Sequence, residues 1–167
     1  MSDHFDVIII STGAGGGTLA YPRPNEVTRC RWTPRALKVL STAHELAASS
    51  GHIEAADLLL AFESVALAYG DNVVSQALDR VGVRPSIALQ CRAPESCPPN
   101  RYVSVADFGP SLSPAFPGLL IEEATAMGDD YVGIEHLLLF LARAGVPGVE
   151  LPYECIRSAI LELLAKS

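Results

Sequence analysis

A segment that occurs twice constrains this chain more than any other feature. Thr33-Pro34 opens one copy and Ser113-Pro114 opens the other. Each is followed by a helical stretch and then by a leucine run, Asp57-Leu58-Leu59-Leu60 in the first copy and His136-Leu137-Leu138-Leu139 in the second. The offset is 80 residues at the caps and 79 at the leucines, so a single gap aligns the copies. Self-similarity at a fixed period marks one supersecondary unit built twice. It predicts an all-α domain of two pseudo-symmetric helical repeats.

Local signals place the helices. Thr33 is a good N-cap, and Pro34 sits at the first helical position, where a missing N–H is harmless. Ala36, Leu37, Leu40, Ala43 and Ala47 follow at helical spacing, and the helix is expected to end near Ser50-Gly51. A second helix is expected from Glu54 to Ala68, a third from Val73 to Val81 behind Asp71 or Asn72, and a short fourth over Pro85 to Cys91. Residues 93–110, rich in proline, read as the linker. In the second copy Ser113 is expected to cap a helix carrying Leu119, Leu120, Ala124 and Met127, with Pro117-Gly118 disturbing its first turn. Gly128-Asp129-Asp130 breaks the chain before the leucine helix, and a last helix runs from Pro152 to Ala165.

The copies are unequal. Leu58 precedes Gly82 by 24 residues, whereas Leu137 precedes Gly148 by 11. The deficit is about one short helix, so the second repeat is expected to lack its third helix and to leave apolar surface of the first uncovered. The expected organisation is a leader over 1–30, poorly ordered, and a double-repeat domain over 31–167. Within that domain 31–92 is repeat one, 93–110 the linker and 111–167 repeat two.

The leader carries a motif of its own. Asp6-Val-Ile-Ile-Ile10 reads as a strand, and Ser11-Thr-Gly-Ala-Gly-Gly-Gly-Thr-Leu-Ala-Tyr21 follows. These residues resemble the opening of glucose-methanol-choline flavoproteins, in which a glycine-rich turn lies under the FAD pyrophosphate. Ser11 stands where the first glycine of the fingerprint belongs. Pro22 and Pro24 stop the following helix after about one turn. No second strand with its acidic residue follows. The segment is therefore read as a leader with an isolated strand, and no cofactor is expected.

Composition narrows the functions. The chain has 19 acidic against 12 basic residues, a formal charge of −7. That balance disfavours nucleic acid, whose binding rests on basic surface, and there is no basic cluster for an anionic membrane. The apolar run Val7 to Ile10 is too short to span a bilayer and lacks the flanks of a signal peptide, so a cytoplasmic location is expected. Cys30, Cys91, Cys97 and Cys155 form no Cys-x-x-Cys pair and read as free thiols. His44 and His52 have no carboxylate or cysteine at ligand spacing, so no metal site is expected. No phosphate-loop motif occurs, so no ATPase is expected.

Gly133-Ile134-Glu135-His136-Leu137-Leu138-Leu139, behind a Ser-Pro-opened segment and ahead of Ile160-Leu-Glu-Leu-Leu164, resembles the Clp repeat. Trp32-Thr-Pro-Arg-Ala-Leu-Lys-Val-Leu40 and Asp57-Leu-Leu-Leu60 carry the same likeness in repeat one. This is the two-copy N-terminal domain of Clp-type AAA+ unfoldases such as ClpC and ClpA. The resemblance implies a domain that docks adaptors and substrates of the unfoldase and has no catalysis of its own. In ClpC-like relatives it also implies reading of phosphoarginine tags, with the first-helix cap near the glutamate of Glu-His.

On that basis the binding candidates are Ser113, Glu135, His136 and Thr33. Repeat one has Ala56 where the glutamate belongs and Asp57 at the histidine position. Ser113 and Thr33 also read simply as helix caps, and Glu135-His136 as a favourable first turn. The expected function is a stand-alone binding module of the Clp system, an adaptor or a decoy. Its partners are a Clp-type unfoldase, its adaptors or its substrates. The alternatives are an inactive flavoprotein fragment and a structural oligomerisation module.

Overall fold

A computed structural model of the chain describes residues 5–8, 29–91, 93–94, 97–99, 103 and 105–166. In order, the elements are β1 (Phe5–Ile8), β2 (Arg29–Trp32), α1 (Pro34–Leu46), α2 (Ala55–Tyr69), α3 (Val73–Arg80), α4 (Pro85–Ala88), α5 (Gly118–Met127), β3 (Tyr131–Val132), α6 (Ile134–Ala144) and α7 (Tyr153–Leu164).

Repeat one follows its local signals. The Thr33 hydroxyl accepts the Ala36 N–H at 3.2 Å and starts α1 behind Pro34. Asn72 Oδ1 accepts the N–H groups of Val74 and Ser75 and starts α3, so of the two cap candidates Asn72 serves. α4 stops at Ala88, one turn long.

Repeat two departs from expectation at its first helix. α5 begins at Gly118, and Ser113 does not cap it. Instead the chain makes separate helical turns from Gly109. Ser113 N–H donates to the Gly109 carbonyl at 2.9 Å and Phe116 N–H to the Leu112 carbonyl at 3.0 Å. Pro117 then falls at the cap of α5 and offers its first turn no side-chain acceptor.

The two repeats are joined by a pair of matched parallel contacts. Trp32 of β2 pairs with Val132 of β3, and Phe108 pairs with Ile53 in an isolated bridge. The flanking hydrogen bonds match too: Thr33 N–H donates to the Val132 carbonyl at 3.0 Å, and Gly109 N–H to the Ile53 carbonyl at 2.9 Å. Each repeat thus sets the entry to its first helical segment against the entry to the other repeat's second helix. Gly109, not Ser113, is the structural counterpart of Thr33.

The strand expected alone in the leader is not isolated. β1 pairs antiparallel with β2, Phe5 opposite Trp32 and Ile8 opposite Arg29, and the sheet order is β1-β2-β3. Pairing satisfies backbone groups that a solitary strand leaves to water. The glycine-rich stretch Ser11–Tyr21 lies outside the described residues.

One core runs through both repeats. Leu58, Leu59, Leu137, Leu138 and Leu139 are fully buried. Phe116 lies between Phe108, stacked at 4.2 Å, and Phe140, edge-on at 5.6 Å, with Trp32 at 6.4 Å. Among the described residues repeat two has three α-helices against four in repeat one, as the spacing predicts. The surface left by the deficit is nevertheless covered: α7 packs on both α3 and α6. Val74, Ala77 and Leu78 on α3 and Ile156, Ala159 and Ile160 on α7 are buried. The Arg80–Glu162 ion pair, 3.0 Å, closes the exposed edge of that contact.

Among the described residues no single helix is long and apolar enough to cross a membrane. Cys91, Cys97 and Cys155 are free thiols.

Candidate peptide-binding site

The β2–β3 pairing carries the N-terminus of α1 to the start of α6. Between them opens a groove of about 710 Å³. Thr33, Pro34 and Arg35 form one wall; Tyr131, Ile134 and Glu135 form the other. Asn72 and Val73 at the start of α3 and Leu164 at the end of α7 complete it.

Two features of opposite charge face this space. The first is the N-terminus of α1. Pro34 has no N–H, and those of Ala36 and Leu37 are taken by Thr33. The Arg35 N–H and the exposed Arg35 guanidinium have no partner among the described residues. A free N–H, a helix dipole and a guanidinium together favour an anion.

The second is Glu135. It is 7% exposed and accepts no hydrogen bond among the described residues. Its nearest basic atom is His136 Nδ1, 3.6 Å away. That nitrogen already accepts the Gly133 N–H at 2.9 Å, so it has no proton to offer. A buried carboxylate without a donor is costly, and this one is satisfied best by a cation entering the groove.

His136 holds Glu135 in place rather than reaching the groove itself. With Nδ1 accepting, the ring proton is on Nε2 and is donated to Asp129 Oδ2 at 3.1 Å. The Tyr131 ring lies edge-on to the imidazole at 5.8 Å. Burial, and then the carboxylates of Glu135 and Asp129, push the Tyr131 hydroxyl above its ordinary pKa. Asp129, Glu135 and His136 bring potential metal-ligand atoms within 4.8 Å of one another. Both imidazole nitrogens are already engaged, so the cluster is built as a capping network.

The counterpart in repeat one is arranged differently. Asp57 replaces His136, and its Oδ2 accepts the Glu54 N–H at 2.9 Å, the same capping bond. Burial raises the pKa of Asp57, against the lowering effect of that bond. Ala56 stands at the position of Glu135. The nearby carboxylate is that of Glu54, which lies against Gly109 and accepts the Ser111 hydroxyl at 2.6 Å.

Of the residues expected at the site, Thr33 and Glu135 line the groove, with His136 directly behind Glu135. Ser113 is not among the lining residues. Sequence reasoning missed Arg35, Tyr131 and Leu164. Arg35 was legible as the residue after a Thr-Pro cap; Leu164 was not, because only the docking of α7 brings it there.

A mainly helical double repeat, with a groove between its halves that carries one basic and one acidic side chain, is the class this architecture defines. The chain belongs to the Clp repeat (R) N-terminal domain family, whose model matches residues 31–148. That family is a protein-interaction module of Clp unfoldases. Among solved structures the chain is similar to the N-terminal domain of the caseinolytic protease associated chaperone ClpD from Arabidopsis thaliana. Identity is 19%, 80% of this chain and 94% of that one are covered, and the TM-score is 0.47. A search of curated proteins finds no match.

Proposed function

We propose that this chain is a peptide-recognition module of the Clp protease system. It has no catalysis of its own and serves as an adaptor or a decoy for adaptors and substrates of a Clp unfoldase. The ligand group that suits its groove is a phosphoarginine side chain, which joins a dianionic phosphoryl group to a guanidinium. The phosphoryl group goes to the N-terminus of α1 and Arg35; the guanidinium goes to Glu135, a planar donor on a carboxylate.

The observation that carries this reading is the Glu135 carboxylate, buried and accepting no hydrogen bond among the described residues, across the groove from the α1 N-terminus, where the Arg35 guanidinium has no partner among those residues. Isothermal titration of a phosphoarginine peptide tests it. Binding by the parent chain is expected, with loss of at least tenfold in Glu135→Ala. Equal affinity of the two proteins refutes it. Capture of a Clp adaptor or unfoldase by the parent but not by Glu135→Ala supports the assignment to the Clp system.

A further inference from the structure

We infer that this domain is monovalent, the carboxylate at its second pseudo-equivalent position, that of Glu54, being engaged from within by the Ser111 hydroxyl. The inference rests on the proposed ligand reading and adds its stoichiometry.

The matched pairings show where a second pocket belongs. Thr33 enters α1 beside Val132 and so beside Glu135. By the same geometry Gly109 enters the helical turns of repeat two beside Ile53 and so beside Glu54 and Ala56. Three differences remove a ligand site there. Ala56 supplies no carboxylate where Glu135 supplies one. The acid that is present, Glu54, has its Oε2 occupied by the Ser111 hydroxyl at 2.6 Å, so the chain itself provides the donor that a ligand guanidinium brings to Glu135. The anion side is also missing. Gly109 has no hydroxyl to cap with, and the turns after it are interrupted at Pro117 before α5 begins.

The consequence concerns the partner. A domain with two open pockets gains avidity from a peptide or protein tagged twice, because the second contact is intramolecular. A domain with one pocket does not. The partner selected by this chain is therefore a singly engaged peptide, and a doubly tagged peptide has no advantage beyond the statistical factor of about two.

Titration of the full chain with a singly tagged phosphoarginine peptide, with native mass spectrometry alongside, tests this. One peptide per chain is expected, lost in Glu135→Ala and kept in Glu54→Gln. Two peptides per chain, or one that is lost in Glu54→Gln and kept in Glu135→Ala, overturns monovalency while leaving phosphoarginine recognition standing. No binding by the parent overturns both. A ligand-free measurement tests the Ser111–Glu54 contact alone. Ser111→Ala and Glu54→Gln are expected to lower the melting temperature non-additively, the double variant falling by less than the two singles combined. Additive shifts would mean that the two side chains do not hold one another, and the contact is overturned.

Discussion

His136 accepts the Gly133 N–H on Nδ1 at 2.9 Å, and this bond both starts α6 and fixes the backbone from which Glu135 projects. The imidazole is wholly buried, so its removal leaves the Gly133 N–H without its acceptor and takes the imidazole donor from Asp129. His136→Ala is expected to cost about 2–3 kcal/mol of stability, the combined loss of a cap and a buried hydrogen bond. His136→Asn keeps an acceptor near Nδ1 and should cost less. Urea denaturation of the two variants checks the order.

Gly133 leaves no room for a side chain. A Cβ there meets the Glu135 carboxylate, whereas the backbone itself, at φ −99°, suits any residue. Gly133→Ala is therefore expected to displace Glu135 without unfolding the domain. Stability should change by less than about 1 kcal/mol, while affinity for the phosphoarginine peptide falls. Equal affinity would show that the position of Glu135 does not matter for binding.

Glu123 anchors the helix that repeat two retains. It is 2% exposed, accepts Arg143 at 2.9 Å and accepts the Tyr153 hydroxyl at 2.8 Å, tying α5, α6 and the start of α7 together. Glu123→Ala is expected to destabilise by about 2–3 kcal/mol. The larger penalty of a stranded buried charge does not apply, because Arg143 is 37% exposed and can be solvated. Thermal unfolding with Glu123→Gln as the milder control measures this.

Tyr153 is expected to make the domain's stability fall in alkali. Burial, and then its bond to Glu123, hold its hydroxyl pKa above the ordinary value. The folded protein thus keeps this proton at a pH where the unfolded chain releases it. The stabilising contribution is full below about pH 10 and is lost as pH rises through the folded value. Tyr153→Phe should flatten the decline of stability above pH 10. Chemical denaturation across that range is the measurement, and an unchanged slope would count against the bond.

Much of the fold was legible from short-range signals. Thr33-Pro34, Asn72 and Gly70 act within one helical turn, and α1, α2 and α3 begin or end where those residues say. The helix deficit of repeat two was equally legible, because it is a matter of chain length. Ser113 misled for a physical reason. A Ser-Pro pair is a helix start only where nothing downstream interrupts the turn, and here Pro117 comes first. The chain has three extra residues between the entry of repeat two and its leucines: Gly109 precedes Leu137 by 28, whereas Thr33 precedes Leu58 by 25.

What the sequence alone determined is the double helical repeat, the caps of repeat one, the family likeness and the lone glutamate at 135, all of which depend on neighbours a few residues away. Only the tertiary structure decided which helix end that glutamate faces. That end is the α1 N-terminus at Thr33, about a hundred residues earlier and in the other repeat, brought across the groove by the β2–β3 pairing. It also decided that α7 covers α3, and that the Ser111 hydroxyl donates to Glu54. These are contacts between segments distant in the chain, selected by the packing of one shared core, and no local preference encodes them.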